Sequence, residues 1–116
     1  MPIASLSPTI AKPAPGKLFI NNEFVDARSG KTFPVINPAT GGVITHVAEG
    51  DAADIDLAVA AARRAFEGKE WSKMIPSRRG QLLWRLGELI MKNLPELAEL
   101  ETLDTGKPIS ESSKVD

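Results

Sequence analysis

Two spacings of apolar residues divide the chain. Between Lys17 and Ala48 they come in short runs and alternations, and from Asp51 onward they recur three and four apart. The first part predicts strands. Leu18-Phe19-Ile20 and Glu23-Phe24-Val25 flank Asn21-Asn22, and asparagine tolerates the positive φ of a two-residue hairpin turn. Thr32 to Ile36 reads as extended, although Pro34 removes a ladder donor and points to an edge. Asn37-Pro38 and Thr40-Gly41-Gly42 then turn the chain. Val43 to Ala48 alternates, which predicts Val43, Thr45 and Val47 on one face and His46 on the other.

The second part predicts three helices. In the first, Asp51 to Phe66, Asp51 can cap, and Asp54 and Asp56 lie near the positive end. Ile55, Val59, Ala62 and Phe66 keep helical spacing, Ala58, Ala61 and Ala65 form a flat flank, and Gly68 ends the helix. A connection from Glu67 to Ile75 holds Trp71, which is expected to anchor it on a core. The second helix runs from Pro76 to Asn93, with Leu82, Leu83, Leu86, Leu89, Ile90 and Leu94 as a wide apolar stripe needing cover from both sides. Pro95 breaks it, and the third helix continues to Thr105 with Leu97, Leu100 and Leu103 three apart. Gly106 suits a left-handed end, and Pro108 stops the helix from resuming in register. After Pro108 a further helix begins with little apolar support, so the C-terminus is expected to be a cut.

Met1 to Gly16 has Pro2, Pro8, Pro13 and Pro15 and no hydrophobic period, which predicts a disordered arm, residues 1–16, ahead of a folded part, residues 17–116. The arm lacks arginine and the basic start and apolar core of a signal peptide, so no targeting role is expected and a cytoplasmic location is. A net charge of −1 gives no electrostatic case for nucleic acid or a membrane surface. Arg78, Arg79 and Arg85 lack interleaved aromatics, and Arg63 and Arg64 suit a solvated helix end. With no cysteine, disulfides, thiolate metal sites and a cysteine nucleophile are absent from these residues.

Chemistry is sparse. His46, the only histidine, has no ligand-spaced acidic cluster and reads as a strand surface residue. No phosphate-binding loop or dinucleotide fingerprint is present. Asp104 is the exception. It falls in the last turn of its helix, where a carboxylate is disfavoured by roughly 0.3–1 kcal/mol. A bound cation, a nearby N–H or Lys107 could offset that cost. Taken alone, the pattern describes an α+β piece, hairpins followed by three helices, without a catalytic centre.

Three blocks carry a resemblance. They are Leu18 to Asp26 with Ser29 to Phe33, then Val35-Ile-Asn-Pro-Ala-Thr-Gly41 running to Asp51, then Arg79-Gly80 with Leu82 and Leu83, continued by Leu100-Glu-Thr-Leu-Asp-Thr-Gly-Lys-Pro108. In order and spacing they resemble the amino-terminal part of the NAD(P)-dependent aldehyde dehydrogenases. The resemblance implies the first portion of that family's α/β cofactor-binding domain. It implies a longer parent enzyme that oxidises an aldehyde to a carboxylic acid with NAD or NADP, commonly as a homo-oligomer. In that family a cysteine thiolate attacks the aldehyde and a glutamate activates the hydrolytic water. Those residues, the oxyanion-hole asparagine and the glycine motif for the cofactor lie beyond the position of residue 116, so the isolated piece is expected to be inactive and poorly folded. One family feature transfers: a monovalent cation, Na⁺ or K⁺, held by backbone carbonyls matching Val35 and Ile36 and by the aspartate matching Asp104. The rival expectation is a natural short module without catalysis that pairs with a full-length relative through its apolar helix faces.

Overall fold

The computed structural model describes residues 13–114. Four strands and five helices follow in sequence, β1 (Leu18–Ile20), β2 (Glu23–Val25), β3 (Thr32–Ile36), β4 (Val43–Ala48), α1 (Ala52–Glu67), α2 (Lys69–Ser72), α3 (Pro76–Lys92), α4 (Leu94–Thr105) and α5 (Ile109–Ser112). The strands form two separate antiparallel hairpins, β1–β2 and β3–β4. In the first, Asn21 and Asn22 both adopt positive φ, 52° and 66°, so the expected tight turn forms between paired Ile20 and Glu23. Phe19 lies opposite Phe24, their ring centroids 4.9 Å apart. Both rings face outward, at 60% and 72% exposure.

The second hairpin departs from simple alternation. Phe33 pairs with Val47 and Val35 with Thr45, but Ile36 pairs with Val43, leaving Ile44 as an extra residue. That bulge turns the side chain of Ile44 inward. Ile44 is buried while Val43 is 49% exposed, so the face expected to carry Val43, Thr45 and Val47 carries Ile44 in place of Val43.

Only the last four residues of the expected arm, 13–16, are described. Residues 1–12 lie outside the described residues, but Gly16 is already paired. Its N–H donates to the His46 carbonyl at 2.9 Å, and its carbonyl accepts from Ala48 N–H at 2.8 Å. Only glycine fits, because a Cβ at Gly16 would lie 2.7 Å from Val47 Cγ1 on a stiff β-branched side chain.

Helix α1 starts as its sequence specifies. Asp51 Oδ1 accepts from Ala53 N–H, and Asp54 Oδ2 accepts from Asp51 N–H, both at 3.0 Å. Asp54 does more than cap. Its Oδ1 accepts from Arg28 N–H at 3.0 Å, which ties the turn after β2 to the start of α1. Asp54 is only 3% exposed, and the Asp51 N–H followed by the Arg28 N–H holds its carboxyl below the ordinary value of 3.8, against the opposing effect of burial. A lowered folded value means the tie is fully present above the unfolded value and is lost as pH falls through the folded one. The amide resonances of Arg28 and Asp51 are therefore expected to move together on acidification, with a shared midpoint below 3.8. A midpoint well above that value would show that the carboxylate does not make the tie.

The helical part holds α2, a short element that hydrophobic spacing does not reveal, and α5, the further helix expected after Pro108. Gly68 ends α1 in an extended conformation, φ −66° and ψ 152°, not the left-handed one, and leads straight into α2. The Ser72 hydroxyl donates to the Gly68 carbonyl at 2.6 Å and closes that turn. Trp71 is 50% exposed, so it does not anchor the connection on a core within this chain. Pro76 occupies the first turn of α3, and Asn93 joins α3 to α4 by donating its side-chain amide to the Leu89 carbonyl at 2.8 Å. Helix α4 ends at Gly106 with φ 77°, the left-handed end its sequence predicts. Ser112 in α5 packs back on α4, its hydroxyl 2.9 Å from that of Thr102.

Few apolar side chains are buried. Among the described residues the buried ones are Ala27, Ile44 and Ala98. The α3 stripe lies open, with Leu83 at 62% and Leu86 at 53% exposure. Along α4, Ala98 is buried, and Leu97 and Leu100 of the expected stripe border a groove together. Among the described residues, no helix is long and apolar enough to cross a membrane.

Candidate functional site

The groove lies between the β3–β4 hairpin and helix α4. Its volume is about 520 Å³. Val35, Ile44, Thr45 and Val47 line it from the hairpin, and Leu97, Ala98, Leu100, Glu101 and Asp104 from α4. Pro13, Ala14 and Gly16 close one side, so the pairing of Gly16 with β4 is part of what shapes it.

Two of the three cation-site residues expected from the sequence meet here. Val35 and Asp104 both line the groove, whereas the Ile36 side chain does not and is 46% exposed. Ile36 directly follows Val35, which lines the groove. The bulge falls between Val35 and Ile36, and a bulge interrupts the regular ladder that would otherwise occupy backbone carbonyls.

Asp104 supplies a second kind of oxygen. Its own carbonyl has no helical donor ahead of it, because Pro108, four residues on, has no N–H. The Lys107 N–H donates to Thr105 Oγ1 at 3.3 Å, and the Gly106 N–H caps the Thr102 carbonyl at 3.0 Å. The last turn of α4 thus presents a carboxylate beside carbonyls carrying the helix's partial negative charge. Oxygen donors of this kind fit a hard cation and not a soft one. Glu101, also on the groove, lies 3.5 Å from Lys107 Nζ. Both partners are about two-fifths exposed, so this pair contributes at most about 1 kcal/mol.

Other expected candidates stay apart. His46 is exposed, opposite Pro34, and Arg63 lies over the Phe66 ring at 6.0 Å. Arg79 donates to the Met74 carbonyl at 2.9 Å and Arg78 to Gln81 Oε1 at 3.1 Å, so both serve the start of α3. Among the described residues, no group of three or more His, Cys, Asp or Glu side chains is placed to hold a metal. Sequence reasoning missed Ile44 because no local signal marks the bulge. It also missed the reach of Asp54 to Arg28, although the Asp-x-x-Asp spacing signals the cap itself.

Comparison with known proteins places this geometry. Residues 24–116 match the aldehyde dehydrogenase family. The chain is 52% identical over 123 aligned positions to a mitochondrial aldehyde dehydrogenase of Sus scrofa, covering 98% of this chain and 24% of that protein. It is 51% identical to a mitochondrial benzaldehyde dehydrogenase of Antirrhinum majus, covering 86% of this chain and 19% of that one. Among solved structures, an indole-3-acetaldehyde dehydrogenase in apo form superposes with a TM-score of 0.84 at 46% identity, over 87% of this chain and 23% of that one. An aldehyde dehydrogenase from Bacillus cereus in complex with NAD⁺ superposes at 0.83 with 48% identity, over 86% of this chain and 20% of that one. The chain spans about a quarter of the length of the first of these relatives. Both the described fold and nearly the whole sequence therefore have their counterparts in one group of oxidoreductases, and the chain belongs to the aldehyde dehydrogenase family.

Proposed function

We propose that these residues form the opening part of an oxidoreductase that oxidises an aldehyde to a carboxylic acid with NAD⁺. The observation that carries this reading is near-complete alignment at about half identity with aldehyde dehydrogenases. The NAD⁺ complex of the Bacillus cereus relative supports the choice of cofactor. In this reading the described helices are a scaffold for the reaction, which proceeds on side chains outside these residues. The test uses a polypeptide of the relatives' length that carries this sequence. NADH formation with aliphatic and aromatic aldehydes, matched by carboxylate product, is the expected result. Failure to reduce NAD⁺ with any of them would sink the reading.

The same reading assigns the groove a supporting role. A Na⁺ or K⁺ ion held by the backbone of Val35 and Ile36 and by Asp104 would neutralise the carboxylate at the end of α4. The shared groove, the bulge at Val35 and Ile36, and the lack of a helical N–H donor from position 108 to the Asp104 carbonyl support it. A second reading, a non-catalytic module that pairs with a longer relative, is favoured by the open stripe on α3. Co-purification of a longer subunit with the short chain distinguishes it.

A further inference from the structure

We propose that Gly106 is a positioning residue for this cation, and that its lack of a side chain facing Pro38 sets the gap between the end of β3 and the last turn of α4. The proposal rests on the cation reading above. Gly106 lies two residues after Asp104, and Pro38 two residues after Ile36. A Cβ placed on Gly106 would lie 3.1 Å from Pro38 Cγ and 3.8 Å from Pro38 Cβ. The helix end and the strand end therefore approach so closely that a side chain at position 106 would meet the Pro38 ring.

Pro38 is poorly able to yield. The obstructing atom belongs to a ring, and the turn that carries it is braced. Asn37 N–H donates to the Gly42 carbonyl and Gly41 N–H to the Asn37 carbonyl, each at 2.8 Å, while Ala39 N–H donates to Asn37 Oδ1 at 2.9 Å. A side chain at position 106 would push the two ends apart by a few tenths of an ångström. Left-handed φ alone explains why a glycine ends α4. It does not explain why the space beside that glycine is occupied by the turn following the other proposed ligands.

The two roles separate in one experiment on the polypeptide of the relatives' length. Thermal midpoints are measured in KCl, in NaCl and in tetramethylammonium chloride at equal ionic strength. The unsubstituted protein is expected to gain stability in K⁺ or Na⁺ with a saturable concentration dependence. Gly106→Ala is expected to raise the half-saturating concentration about tenfold or more, the size typical of disturbing a contact behind a metal ligand. Pro38→Ala combined with Gly106→Ala removes the obstructing Cγ. It is expected to restore the half-saturation while leaving the midpoint in tetramethylammonium lowered, because the left-handed strain remains. Gly106→Asn supplies the same Cβ on a residue that tolerates positive φ, and should weaken the cation response even if Gly106→Ala fails to fold. An unchanged half-saturation in the position-106 variants, with midpoints lowered equally in all three salts, would overturn the positioning role and leave the cation reading standing. Absence of any cation-specific gain in the unsubstituted protein would overturn both.

Discussion

No aldehyde-dependent reduction of NAD⁺ is expected from the 116 residues on their own. The proposed chemistry needs a nucleophile that forms a covalent bond to the aldehyde carbon, so that hydride can leave the adduct. In the family this is a thiolate, and the sequence contains no cysteine. Nothing described substitutes for it. His46 is exposed on a strand, and the Ser112 hydroxyl pairs with the Thr102 hydroxyl, not with a base. The cofactor is equally unprovided for, since no glycine-rich turn leads from a strand into a helix. Working enzymes commonly turn over at about 1–10³ per second, so even a ten-thousandth of such a rate is within reach of an absorbance assay at high protein concentration. A signal indistinguishable from the aldehyde-free blank is the expected outcome. Aldehyde-dependent NADH that persists through repeated purification would place a nucleophile within these residues and refute the scaffold reading.

Local features of the fold were legible where one residue type determines the backbone. Asn21-Asn22, Asp51, Pro76 and Gly106 each mark a turn or helix end that forms as the chemistry of the residue requires. Legibility failed where the outcome depends on a residue distant in sequence. Gly16 looks like part of a loose proline-rich arm, yet it pairs with β4 because Val47 leaves room only for glycine. Ile44 breaks the alternation of its strand through a bulge that depends on its pairing with β3. Asp54 carries an obvious capping signal, but its bond to Arg28 joins residues 26 apart. The candidate site was half legible. Asp104 stood out because a carboxylate at a helix end is unfavourable, whereas Val35 and Ile36 came only through resemblance. The structure then put Val35 on the groove with Asp104 and kept the Ile36 side chain off it. Gly106 was legible as a helix end and not as a neighbour of Pro38, which lies 68 positions earlier (106 − 38).

Expressed alone, the chain is expected to lose its helical signal gradually on heating and to bind a hydrophobic dye before it does so. The radius of gyration is 18.3 Å, against about 13 Å for a compact domain of roughly 100 residues. The accessible surface is 9528 Å², against about 6,200 Å² for a compact monomer of 12.5 kDa. No large side chain among the described residues is fully buried, and Trp84 is 75% exposed. Each sheet has two strands, and a lone hairpin is marginal in water. Helices α1 and α3 have 16 and 17 residues, near the length at which an isolated helix begins to persist. Capping therefore preserves local helix, while little packing links one element to the next. Leu83 provides the sharper contrast. In the isolated chain, Leu83→Ala is expected to change stability by about 0.5 kcal/mol or less, as exposed substitutions do. In the longer polypeptide, where the proposal has the α3 stripe covered, the same change is expected to cost about 2–5 kcal/mol. Urea unfolding of both lengths measures the difference. A steep transition in the short chain, with dispersed amide resonances, would show that these residues make a domain by themselves. An equally small effect of Leu83→Ala in both lengths would show that the stripe stays open, and would favour a separate partner as its cover.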